Sequence, residues 1–202
     1  MVAVVDYGMG NLGSVMKACE HLGVKAKIAV YPEDIVEAEK IVFPGVGNFS
    51  AAMHELKKRN LIEPLKDAID RAVPFLGICL GMQLLLESSQ EAPGVKGLGV
   101  IKGKVVRFKS SKLIVPHMGW NSARITRRDP LYKNIKDGSY FYFANSYYCQ
   151  PKDKAVALTV TDYGINFASS LQQDKVWGVQ FHPEKSQSIG MKVFENFLKL
   201  CK

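Results

Sequence analysis

Cysteine and histidine are both sparse in this sequence, with four of each among 202 residues. Cys19, Cys79, Cys149 and Cys201 include no close pair. That spacing excludes zinc knuckles and C-x-x-C redox motifs, which need two thiols nearly adjacent in the chain, and it favours reduced thiols over a disulfide framework. No metal site is expected. Long apolar runs are missing too. The longest, Val73 to Met82, is broken by Pro74, Gly77 and Gly81 and falls well short of the ~20 residues that cross a bilayer. Val2 to Val5 is apolar, but Asp6 follows at once, so the charged-then-apolar secretory pattern is absent and a cytoplasmic address is expected. There is no internal repeat, low-complexity tract or obvious linker. A single domain over residues 1–202 is the expectation.

Positive charge is in surplus, with a formal net charge of +8. Basic surfaces attract phosphate, yet these lysines and arginines are scattered. The densest spots, Lys57-Lys58-Arg59 and Arg124 to Arg128, have no interleaved aromatic residues of the RNA-binding kind. Nucleic acid is not an expected partner; a basic face suits a solvated surface or an acidic protein. The 47% hydrophobic and 23% charged content is that of an ordinary globular chain.

Through the first half, short apolar runs alternate with amphipathic stretches, the pattern of βαβ units. Val2 to Val5, Ala26 to Val30, Ile41 to Phe43 and Phe75 to Ile78 read as strands, and Leu12 to Leu22, Ala51 to Lys58 and Ile62 to Arg71 as helices. After Leu98 the texture turns β-branched and aromatic. Gly103 to Phe108, Tyr140 to Tyr148, Ala155 to Thr161 and Val176 to Phe181 read as strands, and Ile189, Val193, Phe197 and Leu200 mark one face of a closing helix. The expected fold class is therefore α/β, with a mostly parallel central sheet flanked by helices and an added antiparallel β region in the C-terminal half.

Gly8 to Gly13 fits the G-x-G-x-x-G dinucleotide fingerprint, and Glu33 stands about twenty residues beyond it. The second half of a dinucleotide fold is hard to place in a chain that turns β-rich after Leu98. A tight strand-to-helix turn explains the glycines instead, and no cofactor is expected.

Chemistry concentrates at Gly77-Ile78-Cys79-Leu80-Gly81. A buried strand enters this G-x-C-x-G and a helical run, Leu84 to Leu86, follows, which is a thiol version of the nucleophile elbow. A side chain held at so sharp a turn leaves no room for Cβ atoms on either side. At a helix N-terminus the thiolate gains from the dipole, and the N–H of Leu80 can face a developing oxyanion. A thiol nucleophile needs a base. His21 and His54 sit on amphipathic helices as surface residues, whereas His182 ends a strand and is followed by Pro183 and Glu184. If the segment stays extended, residues 182 and 184 project from one side, and Glu184 can orient the imidazole. Pro44-Gly45-Val46-Gly47 is either a plain βα turn or a second oxyanion donor, from Val46 or Gly47. A stand-alone thiol hydrolase and a non-catalytic binding module remain open at this level.

Taken together, Asp6 to Asn11, Pro44 to Gly47, Gly77 to Gln83, Ala92 to Leu98, Pro116 to Asn121 and His182 to Ser186 resemble the class I (triad) glutamine amidotransferases over nearly the whole chain. Within them, the chain is similar to the glutaminase subunits of imidazole glycerol phosphate synthase. The resemblance implies a flavodoxin-like fold and a Cys79, His182, Glu184 triad that hydrolyses glutamine. It implies a glutamine pocket lined by Gly47, Gln83, Glu91, Ser146 and Tyr147. It also implies a heterodimer with a (βα)8-barrel cyclase, contacted by Pro116, His117, Met118, Gly119, Trp120, Asn121 and Lys185. One departure is Asn145, where these subunits often carry histidine.

Overall fold

The computed structural model describes residues 1–109 and 114–201. Its first half is built of β1 (Val2–Val5), α1 (Leu12–His21), β2 (Ala26–Ala29), α2 (Pro32–Val36), β3 (Lys40–Gly45), α3 (Phe49–Lys58), α4 (Ile62–Asp70) and β4 (Phe75–Cys79). After β4 come α5 (Leu80–Leu84), β5 (Leu86–Ser89), β6 (Ile101–Arg107), β7 (His117–Ile125), β8 (Ser139–Asn145), β9 (Tyr147–Pro151), β10 (Ala157–Asp162), β11 (Asn166–Gln173), β12 (Val176–Val179) and α6 (Gln187–Leu200).

Among the described residues twelve strands form one sheet, whose main path runs β2-β1-β3-β4-β12-β11-β10-β7-β8. The first five are parallel; from β12 onward the pairings are antiparallel. Strands β1, β4 and β12 are buried at every position, because helices cover both faces of a parallel sheet and a continuous apolar run is what such a strand needs. Successive residues feed opposite cores: Phe75 joins one cluster, while Leu76 and Ile78 join the other with α1 and α6. By contrast β6 alternates buried and exposed residues from Ile101 to Val105, as a half-solvated strand should, until Val106 is buried as well.

The α/β class and the antiparallel C-terminal region agree with the sequence reading, and several boundaries do not. Tyr140 to Tyr148 is two strands rather than one. β8 pairs with β7, whereas β9 pairs with β6 and β11, and the chain changes partners at Ser146. Leu84 to Leu86 is not a helical run: α5 ends at Leu84 and Leu86 pairs with Ile101 in β5, so the sheet overrides a helix-forming leucine tract. The buried face of α6 is Val193, Phe194, Phe197 and Leu198, and Leu200 is exposed. Strands β7 and β11 and helix α2 have no counterpart in the sequence reading. No helix among the described residues is long and apolar enough to cross a membrane.

Candidate active site

Three neighbouring parallel strands, β3, β4 and β12, end at the same edge, where open α/β sheets bind ligands. Gly45 at the end of β3 is in register with Cys79 at the end of β4, and β12 on the other side leads to His182. Cys79 has φ 55 and ψ −109, a left-handed conformation that a residue with a Cβ adopts only under strain. The glycines on either side make it possible. A Cβ on Gly81 would collide with the Phe43 carbonyl oxygen, and one on Gly77 would stand 2.8 Å from Gly81 and the Met82 nitrogen. The elbow is thus pressed directly onto β3, with Cys79 at the head of α5.

Cys79 is buried, yet it opens into a cavity of about 270 Å³ shared with His182. His182 Nδ1 lies 2.9 Å from Glu184 Oε1, and both side chains are almost fully buried. The segment carrying them is not extended as expected. His182 itself is, with φ −98 and ψ 100, but Pro183–Lys185 makes one turn of 3₁₀ helix that brings Glu184 back under the imidazole. Ser186 locks this turn to β8: its hydroxyl donates to the His182 carbonyl at 2.6 Å and accepts from the Tyr142 N–H at 2.9 Å. Burial disfavours the imidazolium, but hydrogen bonds to Cys79 and Glu184 outweigh it and push His182 up to about 10. The protonated imidazole of His182 is therefore favoured beside Cys79. His21 and His54 are exposed, as their positions on amphipathic helices suggested.

Val46, Gly47 and Leu80 line the same cavity, as do Gln83, Glu91, Ser146 and Tyr147. Gly47 has φ 102, so the loop after β3 needs glycine there. One carboxylate oxygen of Glu91 accepts the Phe49 N–H at 2.8 Å and anchors the start of α3. Gln83 donates to the Tyr147 carbonyl at 3.1 Å and to Gln180 at 3.0 Å. Asn145, buried, donates to that same carbonyl at 2.8 Å.

Of the residues expected to face a partner, Pro116 and Lys185 stand at the cavity, and Met118 (65% exposed) and Trp120 (46%) project outward. Gly119 and Asn121 are half-buried. His117 is the buried member of the set. It is 3% exposed, stacked between Tyr163 and Phe143, and burial pushes it down to about 4; its side chain is core and offers no surface to a partner. In β7 it points inward because Met118 and Trp120 point out.

Two residues against the site went unread. Gln180, fully buried, places Nε2 3.8 Å from Cys79 Sγ; its i, i+2 spacing from His182 was the available signal. Tyr7 is fully buried against Gly45, with no hydrogen-bond partner for its hydroxyl among the described residues, and burial followed by the nearby Cys79 charge raises its pKa. Nothing local in the sequence pointed to it. The glycine fingerprint has a structural use here: Gly8 takes φ 83, Gly10 packs on Pro44 and Asn11 caps α1.

The family model for glutamine amidotransferase class-I matches residues 3–201. The chain is 48% identical over 200 residues to the imidazole glycerol phosphate synthase subunit HisH of Methanocaldococcus jannaschii, covering 99% of this chain and all of that one. It is also 48% identical over 202 residues to subunit HisH 1 of Campylobacter jejuni, with the same coverage. A crystal structure described as glutamine amidotransferase superposes over all of this chain and 99% of its own with a TM-score of 0.78 at 18% identity, a likeness of fold. On the strength of that end-to-end match and of relatives almost half identical, the chain belongs to the class-I glutamine amidotransferase family.

Proposed function

We propose that this chain is the glutaminase subunit of imidazole glycerol phosphate synthase, releasing ammonia from glutamine for a (βα)8-barrel cyclase in histidine biosynthesis. The observation that carries the reading is the strained Cys79 elbow opening into one small cavity with His182, whose imidazole is backed by Glu184. Full-length relatives bearing that subunit's name support the choice within the family. At about 270 Å³ the cavity lies near the lower end of ligand pockets, roughly 300–1,000 Å³. That suits one amino acid better than a peptide.

The Cys79 thiolate attacks the glutamine carboxamide carbon, and the oxyanion forms beside Leu80 and the Val46-Gly47 loop. The imidazolium of His182 gives its proton to the departing nitrogen, ammonia leaves, and a thioester remains. Neutral His182 then takes a proton from water as it attacks the thioester, and glutamate departs as the thiolate returns. Glu184 holds the imidazole through both steps. Gly47, Gln83, Glu91, Ser146 and Tyr147 hold the substrate.

Ammonia released into neutral water is mostly protonated and no longer nucleophilic, so it is passed on through a sealed interface. The β7–β8 ribbon supports a docking face beside the cavity mouth. Met118, Trp120 and Ser122 pair with Ala144, Tyr142 and Tyr140, and Met118, Trp120 and Tyr140 are exposed, an apolar patch that suits a protein partner. Partner binding completes the site, so the isolated chain turns over slowly. The 202 residues act as one domain, in the cytoplasm, where four unpaired cysteines stay reduced. An electrophilic glutamine analogue tests the proposal: it should modify Cys79 alone and spare Cys79→Ala. Modification elsewhere, or none in the assembled synthase, would refute it.

A further inference from the structure

The Cys79 sulfur has a hydrogen-bond donor that the triad does not supply. Gln180 Nε2 stands 3.8 Å from Sγ, and the Gln180 side chain is fully buried. Which end of that amide faces the sulfur follows from its neighbours. The Tyr147 carbonyl oxygen can only accept. Gln83 lies 3.1 Å from it, so the end of Gln83 at that point is the NH₂. The other hydrogen of the same nitrogen is directed at Gln180, 3.0 Å away, which makes that end of Gln180 its carbonyl. The NH₂ of Gln180 is left facing the sulfur. Turning Gln180 over would set two NH₂ groups against each other. Orientation is thus passed from a main-chain carbonyl to the nucleophile through two glutamines.

The strand geometry explains why one short segment supplies both donors. Gln180 and His182 lie two apart and approach Cys79 together, while Phe181 between them stacks on Phe141 at 4.1 Å in the core. A thiolate is a far better acceptor than a thiol, and a donor aimed at the charged form favours it. The titratable groups around the sulfur are His182, Tyr7 from the turn after β1 and Cys149 from β9, with Glu91 and Lys185 lining the cavity. None of them is altered by changing a glutamine.

We infer that Gln180 is a further catalytic residue, holding the Cys79 thiolate with a neutral hydrogen bond whose direction is set by Gln83 as a positioning residue. The inference rests on the reading of Cys79 as the nucleophile. Its test is the rate of Cys79 carboxamidomethylation by iodoacetamide across pH in the full-length chain, with peptide mass spectrometry separating Cys79 from Cys19, Cys149 and Cys201. Gln180→Leu should lower the rate at pH 7 about tenfold and move the profile to higher pH, the loss expected for one donor to a charged acceptor. Gln83→Met, which leaves the Gln180 amide free to turn, should move it the same way by less. Cooperative thermal unfolding shows that each variant is folded; if Gln180→Leu is not, Gln180→Asn, too short to reach the sulfur, takes its place. Profiles that coincide with wild type in folded variants would overturn the inference. Failure of a glutamine analogue to label wild-type Cys79 would instead sink the nucleophile reading, and the alkylation profile separates the two.

Discussion

His182 Nδ1 and Glu184 Oε1 are 2.9 Å apart, with side chains only 4% and 5% exposed. A carboxylate in that position fixes which imidazole nitrogen carries its proton and leaves the other for the thiol. Glu184→Gln keeps the shape but removes the charge. Glutamine-dependent kcat/KM in the assembled synthase should fall by about 10²- to 10⁴-fold, the range typical of losing an orienting carboxylate. Ammonia-dependent turnover, which bypasses this site, should stay near wild type, and steady-state assays with each nitrogen source measure the split.

The raised pKa of His182 makes a prediction about stability. The folded chain prefers the imidazolium more than the unfolded chain does, with the midpoint moving from 6.5 to about 10. The stabilisation is therefore fully present below about pH 6.5 and fades as pH rises toward 10. In urea titrations, the stability gap between wild type and His182→Asn should shrink across that window. A gap that widens with pH would mean that His182 is held neutral.

Glycines separate by what surrounds them. A Cβ at position 81 meets the Phe43 backbone, and one at 77 meets the backbone of residues 81 and 82, neither of which can yield as a side chain could. Gly77→Ala and Gly81→Ala should each cost about 3 kcal/mol or more in denaturant unfolding. Gly13 lies in the first turn of α1 with nothing within 4 Å of its absent Cβ. Gly13→Ala should be neutral or add up to about 1 kcal/mol.

The partner face has a simple test. Trp120 is exposed on the outward side of β7 and sits edge-on to Tyr142, over which Lys185 lies 6.0 Å away. Trp120→Ala should weaken cyclase binding by about 2 kcal/mol, roughly thirtyfold, because exposed aromatics at an interface centre dominate affinity. Calorimetric titration with the cyclase measures it.

What the sequence made legible was local. The G-x-C-x-G elbow, the parallel strands β1, β3 and β4, and the H-P-E segment each carry their pattern within a few residues. The break at Ser146 was not legible, because it depends on which strands pair with each half of an unbroken β-forming run. Likewise the burial of His117 depends on Tyr163 and Phe143 closing over it, and the 3₁₀ turn under His182 on the Ser186 anchor to β8. Gln180 was half legible: its spacing from His182 could be read, but its partner Gln83 comes from α5, far away in sequence.

The central claim is that the sulfur of Cys79 performs the attack on glutamine and nothing else in the synthase does. Purified Cys79→Ala, assembled with the cyclase, can be assayed with glutamine and with ammonium salts in parallel. Glutamine-dependent formation of imidazole glycerol phosphate should disappear while ammonium-dependent formation persists at the wild-type rate. Glutamine-dependent turnover surviving in that variant would contradict the account.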